Sequence, residues 1–113
     1  MNIWLVSAGI AILQTLLGNI IVFYNSPYLL LLHVFVAIIL LALVIYGYFR
    51  VKLQMEKRIL AGNIGLIVIT GALGYLYTIN ASPIISIIHL LLAIGIVSNF
   101  SVLYGFERGQ KYK

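Results

Sequence analysis

Four long apolar stretches without a charged residue dominate the hydrophobic pattern of the chain. They cover approximately residues 3–24, 27–49, 59–79 and 84–106. A helix needs about 20 apolar residues to cross the hydrocarbon core of a bilayer, and each stretch reaches that length. The pattern predicts an all-α membrane protein, a four-transmembrane-helix bundle that forms a single transmembrane domain over residues 1–113.

The second half of the chain repeats a spaced motif of the first half. Four residues recur with an offset of 56, namely Ser26, Pro27, His33 and Ala37 as Ser82, Pro83, His89 and Ala93. This repetition predicts two tandem helical-hairpin repeats, about 1–56 and 57–113. Each repeat contributes two spans, so both repeats have the same orientation in the membrane.

The two Ser-Pro pairs mark the starts of the second and fourth helices. Serine caps free amide groups, and proline tolerates the first helical position. His33 and His89 then lie at one depth, roughly 9 Å from the starts of their helices at 1.5 Å per residue.

Small residues surround both histidines in the predicted hairpins. Folding each hairpin about its turn brings Gly18 to the depth of His33, and likewise Gly74 to that of His89. Ala37 and Ala93 follow the histidines by one helical turn on the same face. These four residues are candidates for a cofactor pocket, although small residues also serve ordinary helix packing in membranes.

Charge and aromatic residues indicate the orientation of the chain. The net charge is +5, and all seven basic residues flank spans: Arg50, Lys52, Lys57, Arg58, Arg108, Lys111 and Lys113. The turns at Asn25-Ser26 and 80–82 carry no charge. The positive-inside rule therefore predicts a multi-pass protein of the cell membrane with both termini cytoplasmic. The basic residues indicate the lipid bilayer and not nucleic acid as the partner, and Trp4 is expected in the inner aromatic belt.

The two histidines are the only ones in the chain, and both lie inside apolar spans. An ionisable group inside a membrane is a functional candidate because leaving it unsatisfied is costly. Zinc is disfavoured, since the chain has no cysteine and no carboxylate inside a span. A heme needs only two axial ligands, so His33 and His89 are the predicted ligands of one heme iron. Neutral histidines bonded to a carbonyl or to Ser86 remain the alternative.

Residues of helix one add a family resemblance. Gln14, Leu17, Gly18 and Val22, together with the two histidines, resemble a four-helix half of the heme A synthases. The resemblance implies a b-type heme, with heme a or o as alternatives, held near the outer face. That family typically has an acidic residue one turn before the helix-two histidine, and residues 28–31 contain none. We therefore expect electron transfer or heme handling beside a quinone or a respiratory-complex subunit rather than full synthase activity.

Two other functions are consistent with the length and the four spans. One is a structural subunit of a membrane complex without a cofactor. The other is a small multidrug transporter, but such proteins couple to protons through a glutamate in helix one, where this chain has Gln14. For any of these functions the chain can also form a homo-oligomer. The residues offer no nucleophile–base pair or paired carboxylates, so any catalysis would be heme-dependent oxidoreduction.

Overall fold

The computed structural model describes residues 3–24 and 26–111, and its fold is an all-helical four-helix bundle. The helices are α1 (Ile3–Phe23), α2 (Pro27–Arg50), α3 (Gln54–Ile79) and α4 (Pro83–Lys111). All four are long and apolar enough to cross a membrane, which confirms the predicted helix number and fits a multi-pass membrane protein. Asn25 and Lys113, assigned above to a turn and to the basic tail, lie outside the described residues.

The helix boundaries follow the Ser-Pro pairs closely. Helices α2 and α4 begin at Pro27 and Pro83, as predicted. Ser26 has extended backbone at the N-cap of α2, but its hydroxyl makes no capping hydrogen bond, so the predicted side-chain cap is wrong there. Helices α3 and α4 extend beyond their apolar stretches to Gln54 and Lys111, because glutamine, glutamate, lysine and arginine are good helix formers.

Each helix packs against two neighbours in a closed ring. Helices α1 and α3 both contact α2 and α4. Helices α2 and α4 consequently lie across the diagonal of the bundle. We call the end with the start of α1 and the end of α4 the terminal end, and the end with the α1–α2 and α3–α4 connections the turn end.

The tightly packed core lies mostly toward the terminal end. Its buried apolar residues include Trp4, Leu40, Val44, Leu60, Ile96, Phe100 and Leu103. The rings of Trp4 and Phe100 stack with centroids 6.3 Å apart. Trp4 is only 2% exposed, so its expected place in the aromatic belt is wrong. The ring fits because Gly47 of α2 lies beside it, and a Cβ at Gly47 would overlap the Trp4 indole.

Polar side chains are also buried in this core. Ser7 of α1 and Asn63 of α3 are both fully buried. Asn99 of α4 donates a hydrogen bond from Nδ2 to Asn63 Oδ1 at 3.1 Å, which joins α3 to α4. Hydrogen bonds of this kind contribute to helix association in membranes.

Candidate functional site

A cavity of about 580 Å³ lies in the half of the bundle toward the turn end. Residues from all four helices line it, and most of the lining side chains are apolar. All six predicted site residues are in this lining: Gly18, His33, Ala37, Gly74, His89 and Ala93. The structure therefore brings the predicted residues together, while their role as ligands of a cofactor stays a prediction.

The two histidines meet inside the bundle from diagonally opposed helices. His33 is the seventh residue of α2 and His89 the seventh residue of α4. Their ring centroids are 6.2 Å apart, and the ring planes are inclined by 56°. Two ionisable rings are thus neighbours in the half of the bundle where packing is incomplete.

Gly18 and Gly74 lie directly against the two rings. A Cβ built on Gly18 would be 3.2 Å from Cε1 of His33, and a Cβ built on Gly74 would be 3.2 Å from Cε1 of His89. Gly71 lines the same cavity, yet a Cβ there would meet no atom within 4 Å. The first two glycines therefore provide the space that the imidazoles occupy, whereas Gly71 faces open space.

A hydrogen bond from α1 fixes the backbone at the first histidine. Gln14 donates from Nε2 to the backbone carbonyl of His33 at 2.7 Å. This bond holds α1 against α2 at the level of the cavity, which Gln14 itself lines. In the sequence, Gln14 contributed to the family resemblance and to the argument against a transporter, but not to the predicted site, since no local pattern indicates which carbonyl a glutamine reaches in a neighbouring helix.

The imidazoles have incomplete hydrogen bonding within the described residues. Nδ1 of His33 and Nδ1 of His89 are both buried without a partner there, as is Oε1 of Gln14. Ser86 lines the cavity as well. The His89 ring lies within hydrogen-bonding reach of the backbone carbonyl of Thr70, the kind of partner that the carbonyl-bonded alternative expects. Leaving a buried polar atom unsatisfied costs about 1–3 kcal/mol, so a ligand that engages these atoms would recover free energy.

The donor set restricts what the cavity could hold. Among the described residues, no group of three or more histidine, aspartate or glutamate side chains is placed to bind a metal ion. Two imidazoles alone suit a metal whose other positions are filled by its own macrocycle, because a heme iron takes only axial ligands from the protein. They also suit a polar organic ligand that hydrogen-bonds to both rings.

Comparison of the chain with protein-family models, curated proteins and solved structures found no match. Function is therefore inferred from the chemistry of the cavity residues themselves.

Proposed function

We propose that this chain is a membrane heme-binding protein in which His33 and His89 are the axial ligands of one heme. The observation that carries the proposal is the pair of neighbouring imidazoles, each with a buried unpartnered Nδ1, in a cavity of the bundle. When bound, the heme supplies one-electron redox chemistry, and the protein provides ligation and a dry environment. A b-type heme is favoured, with heme a or o as alternatives, for electron transfer or heme handling.

The spacing of the rings supports shared ligation. Imidazole nitrogens bind metal ions at about 2 Å, so two rings on opposite sides of one ion have centroids about 6 Å apart. The observed separation is 6.2 Å. The cavity volume of about 580 Å³ also falls within the range typical of pockets for small molecules and cofactors.

The distribution of buried positions supports the tandem-repeat part of the proposal. Many buried core positions recur with the offset of 56, as in the pairs Trp4 and Leu60, Ser7 and Asn63, Leu40 and Ile96, Val44 and Phe100, and Gly47 and Leu103. Two hairpins with matching buried faces would be related by a pseudo-twofold axis along the membrane normal. Such an axis gives the two histidines equal depth and opposed directions, which is the arrangement that a shared ligand requires.

Orientation and partners complete the proposal. The basic residues flank the terminal end, so we place that end in the cytoplasm and the cavity toward the outer face. A quinone or a subunit of a respiratory complex would exchange electrons with the heme. A subunit role without a cofactor is the competing account.

The test is a dithionite-reduced minus oxidised visible spectrum of the purified protein, with heme content measured by the pyridine hemochrome method. We expect a sharp low-spin signal at about one heme per chain, because two imidazoles give iron a strong axial field. A flat spectrum after expression with ample heme would overturn the proposal and leave the structural subunit as the better account.

The glycines beside the rings provide a finer test of the same site. In Gly18→Ala and Gly74→Ala the new Cβ would be 3.2 Å from an imidazole carbon, so the ring has to move by a few tenths of an ångström. Overpacking of this kind costs about 1 kcal/mol or more, and we expect heme affinity to fall by about fivefold or more. Equilibrium heme titration measures the change. Gly65→Ala is the matched control, because a Cβ at Gly65 would meet no atom within 4 Å and Gly65 lies outside the cavity lining, so this variant should bind heme like the wild type. Equal losses in all three variants would contradict the assigned role.

A further inference from the structure

The two sides of the cavity correspond in position but differ in chemistry. Many lining residues form pairs with the offset of 56, including Gly18 with Gly74 and Ala37 with Ala93. Two of the pairs differ sharply, because Tyr77 of α3 corresponds to Ile21 of α1, and Ser86 of α4 corresponds to Leu30 of α2. We call Tyr77 and Ser86 the hydroxyl wall, and Ile21 and Leu30 the apolar wall.

The other polar residues of the lining are either matched across the cavity or already bonded. Gln14 donates to the His33 carbonyl, and Thr15, which corresponds to Gly71, donates from its hydroxyl to the Ala11 carbonyl. Asn19 and Tyr75 form a pair in which both members are polar. Thr78 corresponds to Val22, but its hydroxyl already donates to the backbone carbonyl of Tyr75 at 2.6 Å. The hydroxyls of Tyr77 and Ser86, in contrast, have no hydrogen-bond partner within the described residues, and both residues line the cavity.

A heme brings two carboxylates, and the cavity has to accommodate their charge. None of the described residues that line the cavity is a lysine or an arginine. An unpaired charge is costly to bury, whereas hydroxyl donors form short, strong hydrogen bonds with a carboxylate. The apolar wall offers no donor of this kind, but it matches the alkyl substituents on the rest of the macrocycle.

We propose that the cavity binds heme in one preferred orientation, with the carboxylate edge against the hydroxyl wall and the alkyl edge against the apolar wall. This inference rests on the proposed function and adds the residues that select between orientations related by the pseudo-twofold axis. Tyr77 and Ser86 are positioning residues in this account, and the histidines remain the ligands of iron.

The experiment compares the binding of heme with that of its dimethyl ester, whose carboxylates are masked. We expect the wild-type protein to bind the ester about ten- to a hundredfold more weakly, which corresponds to the loss of one hydrogen bond to a charged group. In the variant Y77F/S86A this preference should shrink to within a few-fold. Tyr28→Phe is the control, because Tyr28 is 83% exposed and lies outside the cavity lining, and it should keep the wild-type preference.

A reciprocal variant tests orientation directly. Leu30→Ser gives the apolar wall the hydroxyl that its counterpart Ser86 has. The two orientations of the heme, with the carboxylates at one wall or at the other, should then become similar in free energy. We expect the proton NMR spectrum of the oxidised protein to show a second set of heme-methyl signals, where the wild type shows one dominant set. Two equal sets in the wild type would overturn the inference.

The outcomes separate this inference from the proposed function. Equal affinity of the wild type for heme and its ester would overturn the role of the hydroxyl wall while leaving bis-histidine binding intact. A preference for heme over the ester that persists in Y77F/S86A would also overturn it. Failure of the wild type to bind either compound would instead overturn the proposed function. The low-spin spectrum of each variant at saturating heme verifies that its site is assembled.

Discussion

Replacing either histidine by alanine is expected to abolish the low-spin heme spectrum of the protein. His33 and His89 are neighbours with ring centroids 6.2 Å apart, and in the proposed function both rings would bind one iron. Removing one of the two residues that would hold the iron should weaken heme binding, and we expect the affinity for heme to fall by at least about tenfold, a change of 1.4 kcal/mol or more. The measurement is the reduced minus oxidised spectrum of His33→Ala and of His89→Ala at matched protein concentration.

Two controls distinguish lost ligation from lost folding. Phe35→Ala removes a large side chain from the same helix, but Phe35 is 60% exposed and lies outside the cavity lining, so its spectrum should match the wild type. His33→Gly and His89→Gly should regain low-spin character when free imidazole is added, because the added imidazole can occupy the space of the missing ring. A low-spin spectrum that persists in either alanine variant would show that the histidines do not share one iron.

Gly47→Ala is expected to destabilise the bundle by about 1–3 kcal/mol, the usual range for overpacking a filled core. The added Cβ would overlap the buried Trp4 indole, which also stacks on Phe100 and has little space to move. Unfolding in mixed micelles with increasing denaturing detergent, followed by far-ultraviolet circular dichroism, measures the free energy of unfolding.

Gly62→Ala is the matched control for this substitution. A Cβ at Gly62 would meet no atom within 4 Å, and alanine favours helix over glycine by up to about 1 kcal/mol, so this variant should be slightly more stable. The two substitutions are chemically identical, but their effects on the free energy of unfolding should have opposite signs. Adding Trp4→Phe to Gly47→Ala should restore part of the loss, because the smaller ring vacates the overlapping space. Equal stability of Gly47→Ala and Gly62→Ala would refute this account of the contact.

The sequence predicted the helices well because their signals are local. The length of each apolar stretch indicates a span, and proline at the first helical position fixed the starts of α2 and α4 at Pro27 and Pro83. The proximity of His33 and His89 was also predictable, although they are far apart in sequence, because the repeated motif relates their positions.

Contacts between single residues of different helices were not predictable in this way. Trp4 resembles a belt residue in sequence, since it lies near the end of a span, and its burial depends on the absence of a side chain at Gly47, in another helix. The bond from Gln14 to the His33 carbonyl depends on the rotation of α1 against α2, which hydrophobicity alone does not specify. The local hydrophobic pattern of one helix does not indicate which residues of another helix its side chains contact.

The contacts that join the helices most tightly lie at the terminal end, away from the cavity. The interlocked rings of Trp4 and Phe100 and the Asn63–Asn99 bond join three of the helices at the terminal end without any ligand. Under the proposed function, insertion into the membrane and assembly of the helices would therefore not depend on the supply of heme. The heme would bind to the assembled bundle at the turn end, as a late step of biogenesis.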